Sequence, residues 1–193
     1  MATTLIKNGR VISTTGVIAQ DVLITDETVT ALGAPGYFTE EGCDRVIDAT
    51  GKYVIPGGID VHTHMEMPFG GTKASDTFET GTRAAAWGGV TTIVDMAVQS
   101  TGGNVHTALA DWHRKAEGEC AIDYAFHQII GGVDEESLKG MKYLVDHEGV
   151  TSFKLFMAYP GVLYSDDGQL LRAMQSAAEC GAMIMMHAEN GIA

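Results

Sequence analysis

Two histidines stand two residues apart in Gly58-Ile59-Asp60-Val61-His62-Thr63-His64, at the end of an apolar run. Side chains alternate along a strand, so His62 and His64 point the same way and can grip one metal ion between them. The preceding Tyr53-Val54-Ile55-Pro56-Gly57-Gly58 delivers the pair from a glycine turn. A glycine turn lets the backbone enter a strand abruptly and leaves little bulk beside it. Spaced histidines also occur at strand ends without any metal, and a useful site needs further ligands from elsewhere in the chain.

Two later strand ends carry candidates. Lys154 lies inside Phe153-Lys154-Leu155-Phe156-Met157, and His187 closes Met183-Ile184-Met185-Met186. An ammonium repels metal, but burial lowers a lysine pKa and exposes the neutral amine. A neutral amine can take up carbon dioxide as a carbamate, an anionic oxygen ligand able to bridge two ions. The alternative for Lys154 is a side chain that snorkels to water or pairs with a carboxylate. For His187 it is a core histidine before the turn Ala188-Glu189-Asn190-Gly191. His106, His113 and His147 sit among charged helical neighbours and read as solvated, while His127 falls within a strand as a supporting or core group.

These groups need a scaffold that brings distant strand ends together. Beyond Gly57 the chain alternates apolar, β-branched runs with amphipathic ones. Strands are expected over Ile59–His64, Thr91–Ala97, Ile122–Ile130, Ser152–Tyr159 and Met183–His187, rich enough in apolar residues for a buried parallel sheet. Helix starts are marked at Asp76-Thr77-Phe78-Glu79, Asn104, Asp134-Glu135-Glu136 and Asp166-Asp167, and Gly88, Gly118, Gly149 and Gly181 close them. Successive βα units fit a doubly wound sheet or a barrel. No GxGxxG follows the first strand, so the (β/α)8 TIM-like barrel is favoured, with chemistry at the C-terminal strand ends. Eight units need about 250 residues, so residues 57–193 read as the first five strands of an incomplete barrel. Residues 1–56 read as a small β domain, with an Asn8-Gly9 hairpin turn between Leu5-Ile6-Lys7 and Arg10-Val11-Ile12.

Composition removes several functional classes. Twelve basic against 25 acidic residues give a net charge of −13, which repels phosphate backbones and argues against nucleic-acid binding. No segment approaches a membrane span and no leader-like apolar core follows the N-terminus. Cys43, Cys120 and Cys180 lack a paired spacing, so a reducing cytoplasm is the expected location.

Four segments in order carry a resemblance: Pro56-Gly57-Gly58-Ile59-Asp60-Val61-His62-Thr63-His64-Met65-Glu66-Met67-Pro68-Phe69, Gly89-Val90-Thr91-Thr92-Ile93-Val94-Asp95, Ser152-Phe153-Lys154-Leu155-Phe156-Met157-Ala158-Tyr159 and His187-Ala188-Glu189-Asn190-Gly191. They resemble the cyclic amidohydrolases, and within them the dihydropyrimidinases and D-hydantoinases. The resemblance implies a metal-dependent hydrolase barrel with two Zn2+ ions per subunit, beside a small β-sandwich whose N-terminal part is residues 1–56. It implies that His62 and His64 hold the more buried ion, that Lys154 as N6-carboxylysine bridges both, and that His187 holds the second. Tyr159 would face the substrate and stabilise the oxyanion as a metal-activated hydroxide attacks a ring amide, although a plain rim aromatic is its alternative.

The family completes its site with a strand-six histidine and a strand-eight aspartate, the general base; both would lie beyond Ala193. A homodimer or homotetramer is implied for the complete protein. Dihydroorotases and many allantoinases place an arginine close behind the histidines to meet a carboxylate, whereas Met65 to Phe69 follow here. With Phe156, Met65 would line a pocket for a small neutral ring, a dihydropyrimidine or a 5-substituted hydantoin opened to an N-carbamoyl amino acid. Two alternatives remain at this point: a non-catalytic scaffold of the same fold, as in the collapsin-response mediator relatives that lack the metal-binding side chains, and a truncated, inactive chain.

Overall fold

In the computed structural model, which describes residues 1–192, the chain divides into two units, Met1–Pro56 and a second from Gly57 onward. The first unit is one five-stranded sheet. Strands β1 (Thr3–Ser13), β2 (Gly16–Thr25) and β3 (Thr28–Gly33) form an antiparallel meander. β4 (Arg45–Asp48) and β5 (Tyr53–Val54) both pair with β1 in parallel. It presents a single layer among the described residues, whereas a sandwich has two.

The Asn8-Gly9 hairpin is a correction. β1 runs straight through these residues, and its register against β2 shifts between Ile6 and Gly9. Asn8 takes the left-handed conformation at φ 62°, the freedom expected of a turn spent on a β-bulge. What holds the bulge is Asp21, 1% exposed, whose carboxylate accepts the Asn8 amide at 2.8 Å and the Gly36 amide at 2.7 Å. Both donors are far from Asp21 in sequence, so local turn preference is overridden by a long-range acceptor. The chain reverses instead at Thr14-Thr15.

The second unit is built on a parallel sheet. Its strands are β6 (Gly58–Thr63), β9 (Val90–Val98), β10 (Asp123–Ile129), β11 (Ser152–Phe156) and β12 (Met183–His187). A small hairpin, β7 (Pro68–Phe69) with β8 (Thr72–Lys73), follows β6. Helices α1 (Phe78–Trp87), α2 (Val105–Ala116), α3 (Glu135–Glu148) and α4 (Asp167–Cys180) connect the sheet strands. Side chains of Thr77, Asn104, Asp134 and Asp166 cap the four N-termini, and Gly149 and Gly181 end α3 and α4 in the left-handed conformation.

Strand order decides the architecture. The sheet reads β6-β9-β10-β11-β12, every pairing parallel and every neighbour the next βα strand in sequence. A doubly wound sheet reverses its order at a switch point; this one does not, which makes it a partial (β/α) barrel. Alternation then sorts the residues. Ile93, Ala97, Phe126, Phe153 and Leu155 pack with Val105, Leu109, Trp112, Met141, Leu144 and Ala173 of the helices in the main core. Met96, Ile129 and Phe156 form a second cluster with Leu163 on the opposite face. β11 stops at Phe156, three residues short of the expected Tyr159, because Tyr159 is left-handed at φ 60° and its carbonyl accepts the amides of Val162 and Leu163 in a tight loop.

Replacing Asp21 with Ala leaves two amides without their acceptor. A loss of about 1–3 kcal/mol is expected, read as faster hydrogen exchange of the β1 amides, with the second unit unchanged.

Candidate metal centre

The strand ends converge on one cavity of about 290 Å³, lined by His62, His64, Met67, Phe69, Lys154, Phe156, Tyr159, Leu163 and His187. His62 is the penultimate residue of β6 and His64 follows the strand directly, their rings 5.0 Å apart and steeply inclined at 77°. The alternation that sends these two rings into the cavity sends Thr63 and Met65 the other way. Met65 is 8% exposed and packs in the helix-side core, so it does not line the cavity; Met67 takes that place. Its packing partner there is α1, where Gly81 leaves room for the Met65 thioether: a Cβ on Gly81 would lie 2.3 Å from Sδ.

Lys154 stands on the cavity side of β11 and is 8% exposed. Among the described residues no carboxylate pairs with it; its ammonium lies 5.4 Å from the centre of the Phe156 ring. Burial pushes its pKa down from the usual lysine range. Neither an exposed ammonium-bearing stem nor a carboxylate partner is found for it among the described residues.

His187, the last residue of β12, hydrogen-bonds Glu189 through Nε2 at 2.8 Å and stacks on Phe156 at 5.6 Å between centroids. A metal would meet its Nδ1, or its Nε2 once Glu189 turns aside. Tyr159 completes an aromatic wall, 5.3 Å from His187, 5.9 Å from Phe156 and 5.4 Å from Phe69. The residue is 37% exposed.

Does the donor set fit a metal? His64 answers directly: its Nδ1 is buried and has no hydrogen-bond partner among the described residues. A buried imidazole nitrogen without a partner is costly in a protein and ordinary in a metal ligand. Burial, followed by the neighbouring His62, holds the His64 pKa below its ordinary 6.5, favouring the neutral, ligating form. The set is partial, since among the described residues no three His, Cys, Asp or Glu side chains group closely enough to hold an ion by themselves. The residues present fit part of a metal centre, with Lys154 as a donor only after modification.

Two polar groups near the pair were weakly signalled or missed. His127 on β10 bonds Ser152 Oγ through Nδ1 and the Val61 carbonyl through Nε2 at 3.0 Å. It supports the backbone beside His62. Asp95 on β9, fully buried, carried no assigned role from sequence. Its position near the end of an apolar strand was the available signal. His106, His113 and His147 are exposed on α2 and α3.

The amidohydrolase family model matches residues 53–193. The chain belongs to the amidohydrolase family. It is 66% identical to a D-hydantoinase of Streptomyces coelicolor over 98% of this chain and 41% of that protein. A D-hydantoinase of Geobacillus stearothermophilus is 48% identical over 98% of this chain and 40% of its own length. Among solved structures, the dihydropyrimidinase of Brevibacillus agri superposes with a TM-score of 0.92 at 47% identity, covering 98% of this chain and 40% of that one. The chain thus spans about two fifths of the length of the relatives it matches.

His64 and His127 both have pKa values depressed chiefly by burial. A histidine depressed in the folded state leaves the unfolded chain binding more protons in acid. Stability is then full above the unfolded value of about 6.5 and falls as pH drops through the lower folded values. NMR titration of the metal-free chain should place both ring protons' midpoints below 6.5, with thermal stability declining from about pH 6.5 downward.

Proposed function

We propose that the polypeptide containing these residues hydrolyses cyclic amides, opening dihydropyrimidines or 5-substituted hydantoins to N-carbamoyl amino acids. The observation that carries this reading is the buried Lys154, without a carboxylate partner among the described residues, in one cavity with His62, His64 and His187. Its support is the likeness to proteins named D-hydantoinase and dihydropyrimidinase over nearly the whole chain.

Each residue has a role in this reading. His62 and His64 would hold one zinc ion and His187 a second. The Lys154 amine, its pKa lowered by burial, would take up carbon dioxide in its neutral form: the nitrogen forms a bond to carbon, a proton leaves, and the resulting carbamate would supply anionic oxygen ligands to the metal centre. When bound, such a metal pair lowers the pKa of water toward neutrality and polarises an amide carbonyl. Residues outside 1–193, a histidine and an aspartate from later barrel strands, complete the ligands and carry the proton to the leaving ring nitrogen. A second sheet from the same source would pair with the first unit as a β-sandwich.

Substrate recognition falls to the cavity wall. The Tyr159 phenol would donate a hydrogen bond to the carbonyl oxygen as negative charge develops there. Met67, Phe69, Phe156 and Leu163 supply an apolar lining with no arginine among the cavity residues, suited to a neutral ring bearing hydrogen or an apolar substituent. Addition of water across the ring C–N bond gives the hydroxyl to the carbonyl carbon and the proton to nitrogen. A cytoplasmic homodimer or homotetramer acting on a small molecule is the proposed setting.

The test uses the complete polypeptide. Dihydrouracil and 5-substituted hydantoins should be opened and dihydroorotate, with its carboxylate, left intact. Tyr159→Phe should lower kcat about 100–1000-fold with metal content unchanged, whereas Lys154→Ala should lose metal and activity together. Full activity in Lys154→Ala would defeat the proposal.

A further inference from the structure

The β6 ladder breaks where the histidine pair sits. Asp60 lies opposite Ile93 and Thr63 opposite Asp95, so three steps on β6 match two on β9. The extra residue makes a β-bulge, a feature that re-aims side chains beside a site. A bulge takes backbone groups out of the ladder, so other contacts must fix its geometry. On one side the Val61 carbonyl is taken by His127. Within the bulge the His62 amide donates to Asp60 Oδ1 at 3.1 Å, and on the other side the contacts come from Asp95.

Asp95 is fully buried, and both of its oxygens are used. Oδ2 accepts the Thr63 hydroxyl at 2.7 Å and the Met65 amide at 2.9 Å. Oδ1 accepts the Trp112 indole N–H of α2 at 2.9 Å. The two groups on Oδ2 come from the residues immediately before and after His64. All of these donors are neutral, so the carboxylate gains no ion pair in return for its desolvation. What it gains is a hold on the residues either side of one imidazole, Thr63 through its hydroxyl and Met65 through its backbone amide. Its third bond fastens that hold to the helix layer.

We infer that Asp95 is a positioning residue for His64. By clasping Thr63 and Met65 through one oxygen, it keeps the intervening ring turned into the cavity with Nδ1 free to ligate. The inference rests on the metal reading above for what His64 meets, but its geometry does not. A purely structural role, tying β9 to α2 through Trp112, makes a different forecast.

Three variants of the full chain separate the two. Thr63→Val removes one arm of the clasp and little else. Asp95→Asn keeps the shape but sets an amide N–H against one group of donors. Trp112→Phe cuts only the link to α2. Zinc affinity, the visible spectrum of the Co(II)-loaded protein, exchange of the Met65 amide and thermal melting are measured for each. Thr63→Val and Asp95→Asn should bind zinc about 10–100-fold more weakly, alter the Co(II) spectrum and exchange the Met65 amide faster. Trp112→Phe should melt earlier and keep wild-type affinity and spectrum.

Wild-type affinity and spectrum in a folded Thr63→Val protein overturn the inference, as does metal loss in Trp112→Phe equal to that in Thr63→Val. A wild-type chain that takes up neither metal refutes the metal reading instead. Met65 exchange and the His64 ring signals in Thr63→Val then decide the inference: a change supports it, and wild-type behaviour overturns it.

Discussion

Parallel strands all end at the same rim of their sheet, and this geometric constraint is what the second unit depends on. β6, β11 and β12 are separated along the chain by up to four helices, yet each finishes on the same side. The side-chain period of two then selects which face each residue serves. Lys154 and Phe156 alternate with Phe153 and Leu155, so one pair enters the cavity while the other joins the helix-side core. Packing and chemistry share each strand residue by residue, and a one-residue slip would exchange them.

Two buried polar groups show opposite solutions to the same energetic problem. Asp95 is desolvated but has three donors aimed at its oxygens. Lys154 is nearly as buried, with the Phe156 ring 5.4 Å from its ammonium and no carboxylate paired with it among the described residues. A satisfied buried group rigidifies its surroundings, whereas an unsatisfied one marks chemistry that the resting side chain does not complete. His64 Nδ1 belongs to the second class. Lys154 and His64 line the cavity and the satisfied carboxylate lies behind them, an arrangement that sets donors on a fixed support; Gln128 Oε1, also without a partner among the described residues, lies outside that lining.

Much of this was legible in the sequence because it rests on short-range rules. The helix starts at Asn104, Asp134 and Asp166 are capped by the side chains that announced them, and β12 has its expected bounds. The grouping of His62, His64, Lys154 and His187 followed from placing polar residues at the ends of apolar runs. Failures came where a distant partner decides. Asn8-Gly9 bulges instead of turning because Asp21 holds it. Tyr159 leaves β11 because its left-handed backbone opens a loop. Met65 was assigned to the cavity by proximity to the histidines, although alternation already sent it to the core. The sequence does not show the role of Asp95, because its partners lie at the end of β6, on the loop after it and on α2, all distant in sequence.

The central claim is that Lys154 serves as a carbamate in a metal centre, and carbon-13 NMR tests it most directly. The complete polypeptide is loaded with zinc in carbon-13-labelled bicarbonate and its spectrum compared with that of Lys154→Ala. A protein-bound carbamate carbonyl signal, present with zinc and absent from the variant, is the predicted result. A wild-type protein that binds zinc fully and shows only free bicarbonate would contradict the account.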